Sequence, residues 1–195
     1  MVHPLDIKKK ALENNIPIMQ DEGIAFIVDY IQKNNVNSIL EIGSAVGYSA
    51  ISFALAKDNV KVTTIERDLE RYQEAVFNIQ SMGLEDSITI LNEDALEVSI
   101  SSKFDLIFID AAKSQYIKFF EKYRNNLNDN GVIITDNLSF HGMVEDITLT
   151  HNRNTKQLVG KIRAYIDFLK NNSEFDTEFF PLGDGISVSK KKNNE

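Results

Sequence analysis

Five short segments rich in apolar residues, none with a regular polar alternation, recur through the middle of the chain. They are segments 38–42, 61–65, 87–91, 104–109 and 131–135. Apolar runs of this length are typical of strands buried on both faces of a parallel sheet. Helical hydrophobic spacing lies between and around them, as at Ile24, Ile27 and Ile31 or at Leu158, Ile162 and Leu169.

This alternation predicts an α/β fold with a doubly wound parallel sheet and right-handed crossovers. Segments 177–182 and 185–190 flank Gly183-Asp184, a pair suited to a hairpin turn, and should add an antiparallel strand. The length of 195 residues fits one domain. We expect helices in residues 1–35, followed by a sheet-containing core over residues 36–192.

Composition excludes several classes of protein. The chain has no cysteine, which excludes disulfides, thiolate metal sites and a cysteine nucleophile. The formal net charge of −8 argues against a general nucleic-acid coating protein, because phosphate contacts need clustered lysine and arginine. There is no apolar run of about 18–20 residues and no signal-like start, so we expect no membrane span and a cytoplasmic location.

The loop after the first strand points to a ligand. Gly43 and Gly47 allow a sharp turn and a close approach of the backbone. Ala45 stands where a dinucleotide-binding loop needs its second glycine, so a pyrophosphate cradle is disfavoured. Glu41 would repel a phosphate and suits a ligand with an ammonium or sulfonium centre. A plain strand-to-helix turn is the alternative.

Acidic residues follow the next two strands. Glu66 stands where a carboxylate can accept both hydroxyls of a ribose. Asp94 could accept a hydrogen bond from the exocyclic amine of adenine. Each acid alone is compatible with a solvated loop residue. Together with the glycine loop they predict a site for a nucleoside with a cationic tail.

Oxygen-bearing residues also end the fourth and fifth strands. Asp110 ends one strand, and Asp136-Asn137 ends the other. Two carboxylates and an amide oxygen suit Mg²⁺, although Asp136-Asn137 could also simply open a turn. Lys113 can reach the same place and act as a general base, or it is an ordinary surface lysine.

The segments that carry these residues resemble the cation-dependent O-methyltransferases that use S-adenosylmethionine, the group of the caffeoyl-CoA and catechol enzymes. The resemblance runs from about Ile16 to Lys192. Within the group, the chain resembles the bacterial tRNA 5-hydroxyuridine methyltransferases. The broader resemblance is carried by segments 40–49, 65–67, 94–95, 108–113 and 135–137, and the narrower one by segments 16–19, 110–116, 134–137 and 181–190.

The resemblance implies a Rossmann-like class I fold with a seven-stranded, mostly parallel sheet and an antiparallel C-terminal strand. It implies that residues 1–35 form a lid or dimer region, that the protein is a homodimer, and that S-adenosylmethionine and Mg²⁺ or Mn²⁺ are the cofactors. The metal ligands are then Asp110, Asp136 and Asn137, and the catalytic residues are Lys113 and Asp110. The cofactor-binding residues are Met19, Glu41, Gly43, Tyr48, Ser49, Glu66, Asp94, Ala95 and Asp110.

Three functions remain open at this point. The narrower resemblance implies methylation of 5-hydroxyuridine in the tRNA anticodon loop, giving 5-methoxyuridine. The acidic charge favours a small catechol-like acceptor instead. A non-catalytic nucleoside-binding or dimerisation protein is the third reading. Phe140 and Tyr116 are candidates for stacking on the acceptor, whereas Phe119 is expected in the core. A basic patch for tRNA would draw on Lys8, Lys9, Lys10, Arg153, Lys156, Lys161, Arg163 and the C-terminal lysines.

Overall fold

The computed structural model describes residues 3–192, so the remaining terminal residues of the expected domain lie outside it. Strands and helices alternate along the described part. The helices are α1 (Pro4–Glu13), α2 (Asp21–Lys33), α3 (Tyr48–Ala54), α4 (Leu69–Ser81), α5 (Tyr116–Tyr123) and α6 (Arg153–Lys170). The strands are β1 (Ser38–Ile42), β2 (Lys61–Ile65), β3 (Ile88–Leu91), β4 (Phe104–Ile109), β5 (Leu127–Thr135), β6 (Phe175–Phe180) and β7 (Ile186–Lys191).

The seven strands form one sheet in the order β3-β2-β1-β4-β5-β7-β6. Strands β1 to β5 pair in parallel, and β7 pairs antiparallel to both β5 and β6. The predicted fold, a mostly parallel seven-stranded sheet with an antiparallel C-terminal strand, is therefore confirmed. The strand order reverses between β1 and β4, and ligands of such sheets bind beyond the carboxyl ends of the strands near this switch point.

Two apolar cores cover the two faces of the sheet. Side chains alternate between them along each central strand: Ile39 packs with α1, α2 and α3 on one face, and Leu40 packs with α5 and α6 on the other. Both residues are fully buried. Burial on both faces explains why these strands read as continuous apolar runs.

Local signals place the helix ends where the sequence predicts them. Asp68 caps α4 by accepting a hydrogen bond from the backbone of Arg71. Gly83 follows the helix with a φ of +66°, the left-handed conformation that glycine adopts at helix ends. The predicted helical face of α6 is also present, with Ile162, Tyr165 and Leu169 buried.

Four of the seven strands differ from the predicted bounds: β3, β6 and β7 by one or two residues, and β5 by four. β5 begins at Leu127, four residues before the predicted start, because segment 128–131 stays extended although its composition is typical of a turn. The register between β4 and β5 shifts over this stretch. β6 ends at Phe180, before Pro181, which has no backbone N–H for the sheet. None of the helices within residues 3–192 is long and apolar enough to cross a membrane.

Candidate active site

A cavity of about 420 Å³ opens at the carboxyl ends of β1, β2, β3 and β4. It lies at the switch point where the sheet topology predicts a ligand. Lys113 and Asn137 also line it, so the structure brings most of the predicted site residues to one place. The predicted cofactor-binding residues in its wall are Met19, Gly43, Tyr48, Ser49, Glu66, Asp94, Ala95 and Asp110.

Backbone hydrogen bonds that continue past the strand ends hold these residues in line. The Gly43 N–H donates to Ile65, and the Asp110 N–H donates to Ile42, at 2.9 and 3.0 Å. The Asp136 N–H donates to Ile109 at 3.2 Å. Because the ladder extends one residue beyond each strand, the residues that follow the strands meet at one edge of the sheet.

The glycine loop depends on the absence of a side chain at Gly43. This residue has a φ of +93°, and a Cβ atom there would lie 2.2 Å from the carbonyl oxygen of Asp110. Only glycine lets the end of β1 pass so close to the end of β4. Ala45 also has a positive φ, of +45°, and its N–H donates to Glu66. The loop thereby curves over the end of the sheet and lines the cavity with backbone.

Glu66 is buried in the cavity wall with both carboxylate oxygens fixed. Oε2 accepts from the Ala45 N–H and Oε1 from the Asp68 N–H, each at 2.9 Å. A carboxylate oxygen has two lone pairs, so each can still accept a hydroxyl hydrogen. This arrangement suits the predicted role as acceptor of two ribose hydroxyls.

Glu41 was predicted to bind the cofactor, but it lies behind the cavity wall and not in it. It is fully buried and accepts hydrogen bonds from the hydroxyl groups of Ser49 and Thr64. Burial raises the pKa of Glu41 to about 7, despite these two hydrogen bonds, which lower it. Glu41 therefore reaches the cavity only through Ser49.

The acidic residue after β3 is held differently. Asp94 accepts from the Leu96 N–H at 2.8 Å and lies 3.9 Å from the guanidinium of Arg67. It is partly exposed at the cavity wall. Ala95 follows it into the wall and is buried. The position suits recognition of a base edge, which stays a prediction.

The three predicted metal ligands are adjacent. Nδ2 of Asn137 donates to Oδ1 of Asp110 and to Oδ2 of Asp136, both at 3.0 Å. The predicted ligand atom of Asn137 is its amide oxygen, whereas here the amide nitrogen faces both carboxylates, because a donor stabilises two negative groups. Asn137 has a φ of +66°, which turns its side chain back over the strand ends.

The electrostatics of this cluster fit a divalent cation. Burial raises the pKa of Asp110 and of Asp136, and the charge of Asp110 raises the pKa of Asp136 further. The positive charge of Lys113 acts in the opposite direction and lowers the pKa of both carboxyl groups. No three His, Cys, Asp or Glu side chains within residues 3–192 are close enough to share an ion. A site here would have two carboxylates and one amide, a donor set that Mg²⁺ accepts and Zn²⁺ does not favour.

Lys113 begins a short 3₁₀ helix, Lys113–Gln115, at the cavity wall. Its Nζ lies 5.6 Å from the ring centroid of Phe140, in the loop after β5. The Phe140 and His141 rings stack with centroids 5.6 Å apart. The lysine and this aromatic pair therefore lie close together, near the end of β5 that Asn137 follows.

One aromatic prediction is wrong and another is confirmed. Tyr116 was a stacking candidate, but it is 1% exposed, and its hydroxyl donates to the Asp136 carbonyl at 3.0 Å. Phe119 was assigned to the core; it is buried there and also lines the cavity. Gln115 and Leu96 line the cavity too and were not identified from the sequence. Their only signal was their place just beyond β3 and β4.

A second groove, of about 610 Å³, lies at the opposite edge of the sheet. Asp105 in its wall accepts hydrogen bonds from the backbone and hydroxyl of Ser38, the backbone of Asn37 and the side chain of Asn128. These bonds tie the start of β1 to the starts of β4 and β5. We assign this carboxylate a structural role.

Comparison with known proteins identifies relatives over most of the chain. The sequence model of the family described as O-methyltransferase matches residues 5–192. The caffeoyl-CoA O-methyltransferase of Populus kitakamiensis is 25% identical over 193 residues, which are 94% of this chain and 82% of the relative.

Solved structures agree with this match. A Staphylococcus aureus protein, provisionally described as a caffeoyl-CoA O-methyltransferase, is 37% identical with a TM-score of 0.93. The alignment covers 98% of this chain and 93% of that one. An O-methyltransferase from Bacillus cereus, crystallised with S-adenosylhomocysteine, is 25% identical with a TM-score of 0.81, over 97% and 90% of the two chains.

Proposed function

Because the chain belongs to the O-methyltransferase family, we propose that it transfers a methyl group from S-adenosylmethionine to a hydroxyl oxygen of its acceptor with the help of a divalent cation. The observation that carries the proposal is the cluster of Asp110, Asp136 and Asn137 at the cavity that Glu66 and the glycine loop line. The residues predicted to bind a nucleoside and a hard cation thus lie at one cavity, with Asp136 just behind its wall. The Bacillus cereus neighbour, crystallised with S-adenosylhomocysteine, supports the choice of cofactor.

The residues of the chain have separate tasks in this proposal. Glu66 accepts the ribose hydroxyls, and Asp94 faces the base. Asp110, Asp136 and Asn137 would hold Mg²⁺ or Mn²⁺. When bound, such a cation lowers the pKa of a hydroxyl group that coordinates it and orients that group.

Other residues would remove the acceptor's proton, position the methyl donor and exclude water. In its neutral amine form, Lys113 accepts the acceptor's proton at its Nζ, beside Phe140. The backbone at Gly43 lets the methyl donor lie close to the strand ends. Met19 and Phe119 are buried apolar residues in the wall and exclude water. Holding donor and acceptor in line can lower the barrier by several kcal/mol.

The acceptor we propose has two adjacent oxygen atoms. The first candidate is 5-hydroxyuridine in the tRNA anticodon loop, whose hydroxyl and neighbouring carbonyl can chelate one cation. The narrower sequence resemblance supports it. A splayed single-stranded base can enter a deep pocket without a wide basic surface.

A small catechol is the second candidate, and the charge distribution favours it. Of the basic residues expected to contact tRNA, Lys8 pairs with Asp21. Lys10 pairs with Glu74 at 2.9 Å. Arg163 donates to the carbonyl of Val144. Two of these side chains pair with acids and the third with a backbone carbonyl. Fewer positive groups are therefore left to contact tRNA phosphates. The caffeoyl group in the name of the Populus relative is itself a catechol.

One assay separates these candidates. The protein is incubated with labelled S-adenosylmethionine and Mg²⁺, or with EDTA, and is offered hydroxyuridine-containing tRNA and a catechol side by side. EDTA-sensitive label recovered as 5-methoxyuridine supports the tRNA acceptor. Label on the catechol alone supports the second candidate. Binding of S-adenosylhomocysteine without transfer to either acceptor would favour a non-catalytic nucleoside-binding protein.

Asp136→Asn is the matched variant for the metal, because Asp136 is not part of the cavity wall. We expect activity to fall by about 100-fold or more, since a direct ligand is lost. S-adenosylhomocysteine affinity should change by less than about threefold, because the cofactor contacts remain. Activity near that of the unaltered protein at saturating Mg²⁺ would contradict the metal role.

The homodimer also remains a proposal that rests on the family resemblance. Sedimentation of the full chain at several concentrations tests it. A mass near 44 kDa, twice the 22.1 kDa of one chain, is expected, and a mass near 22 kDa throughout would contradict it.

A further inference from the structure

Asp184 lies in the turn between β6 and β7, far along the sequence from the predicted metal ligands but close to them in the fold. Because β7 runs antiparallel to β5, the turn lies beside the residues that follow β5. The Ser139 N–H donates to the carbonyl of Asp184 at 2.7 Å, and the Leu138 N–H donates to Gly185 at 3.0 Å. Asp184 is therefore held next to the loop that begins at Asn137.

The carboxylate of Asp184 is buried, and only one of its two oxygen atoms has a hydrogen-bond partner. The residue is 5% exposed. Its Oδ1 accepts from the His141 N–H, whereas Oδ2 is buried and has no hydrogen-bond partner. A buried carboxylate oxygen without a donor is costly, so the position calls for a donor that the described side chains do not provide.

The charges near Asp184 indicate what kind of group would stabilise its carboxylate. The negative charge of Asp184 raises the pKa of both Asp110 and Asp136, in addition to the larger effect of their burial. Lys113 is the lysine that opposes these shifts. Asp110, Asp136 and Asp184 therefore form a negative region, and a divalent cation is the kind of group that would offset it. Asp184 stands too far back to share an ion directly, since no three acidic or histidine side chains within residues 3–192 converge closely enough.

We propose that Asp184 is a positioning residue that strengthens divalent-cation binding at Asp110, Asp136 and Asn137 without touching the ion. Its buried negative charge would favour a cation at the neighbouring ligands, and its Oδ1 holds the loop at His141. The inference rests on the proposed function, because it takes the metal site as given. Groups that orient the ligands and waters of a metal in this way commonly alter its affinity by about 10- to 100-fold.

The test is the affinity for Mn²⁺ alone, measured on the full chain from the electron paramagnetic resonance of free Mn²⁺. Asp184→Asn removes the charge and keeps an acceptor for the His141 N–H. We expect the Kd for Mn²⁺ to rise about 10- to 100-fold. Glu145→Gln is the matched control, because Glu145 is an exposed acid of the same loop that accepts from Ser139. Its Kd should stay within about twofold, since exposed charges are screened.

Each outcome is decisive. Asp184→Asn with the Mn²⁺ affinity of the unaltered protein would overturn the inference and leave Asp184 a purely structural residue. If Asp184→Asn does not fold, as judged by thermal unfolding, Asp184→Ser replaces it, with a hydroxyl oxygen still able to accept from His141. If Asp136→Asn also leaves Mn²⁺ binding unchanged, or the unaltered protein binds no Mn²⁺, the proposed metal site itself fails.

Discussion

The hydroxyl group of Ser49 donates a hydrogen bond to Glu41, a fully buried carboxylate that lies just behind the cavity wall. Ser49 itself lines the cavity. A group with a pKa near neutrality is thus connected through one hydroxyl to the place where we propose that the cofactor binds. The burial of Glu41 makes it a defined source of pH dependence in this fold.

Replacing Glu41 with Gln should stabilise the protein at high pH. The pKa of Glu41 is raised from 4.5 to about 7, chiefly by burial. A carboxyl group with a raised pKa contributes stability that is full below pH 4.5 and is lost as the pH rises through about 7. Relative to its effect at pH 4.5, Glu41→Gln should raise the free energy of unfolding at pH 9 by at most about 3 kcal/mol over the unaltered protein. Urea unfolding at pH 4.5 and pH 9 measures it.

The control for Glu41→Gln is Glu85→Gln, the same change at an exposed position. It should alter stability by less than about 0.5 kcal/mol at either pH. Equal effects of the two substitutions would contradict the assignment of a buried, proton-binding Glu41.

Gly43→Ala should destabilise the protein strongly. The added Cβ would lie 2.2 Å from the Asp110 carbonyl, at a φ of +93°. We expect a loss of about 3–5 kcal/mol in the free energy of unfolding, since a steric clash with backbone adds to the strain of a positive φ. Gly83→Ala separates the two effects, because Gly83 also has a positive φ but no atom within 4 Å of an added Cβ. Its cost should be about 1–2 kcal/mol. Similar losses at both positions would mean that the contact with Asp110 relaxes freely.

Glu66→Gln should weaken binding of S-adenosylhomocysteine. The proposal assigns both ribose hydroxyls to this carboxylate, and a hydrogen bond to a charged group contributes about 1.5–3 kcal/mol. We expect the Kd, measured by isothermal titration calorimetry, to rise about 10- to 100-fold. Glu93→Gln changes an exposed acid in the same wall and should shift the Kd by less than about threefold. Unchanged affinity in Glu66→Gln would remove the ribose role.

Lys113→Ala should separate catalysis from cofactor binding. Loss of a general base lowers kcat by about 10²–10⁴-fold, and the Kd for S-adenosylhomocysteine should stay within about threefold. Lys118→Ala, five residues further along on the exposed side of α5, is the control and should leave kcat unchanged. A Lys113→Ala protein with normal kcat would exclude this lysine as the base.

The sequence by itself determined the fold class and the residues at the strand ends. Segments 38–42, 61–65 and 104–109 become strands with the predicted bounds. This succeeds because burial on both faces demands continuous apolar runs, and because adjacent parallel strands bring their carboxyl ends together whatever the side chains between them. Glu66 and Asp110 therefore meet at one cavity, as predicted.

The tertiary structure decided which way each of these residues faces. Glu41 and Asp136 lie behind the wall, and Tyr116 turns into the core. Side-chain direction depends on strand register and on the helices packed against the sheet, so position in the sequence leaves it open. Asp184 shows the same limit most clearly, because only the antiparallel pairing of β7 with β5 brings it beside a loop more than 40 residues earlier, at His141. A single sequence carries no local signal for a contact that depends on how distant strands pair.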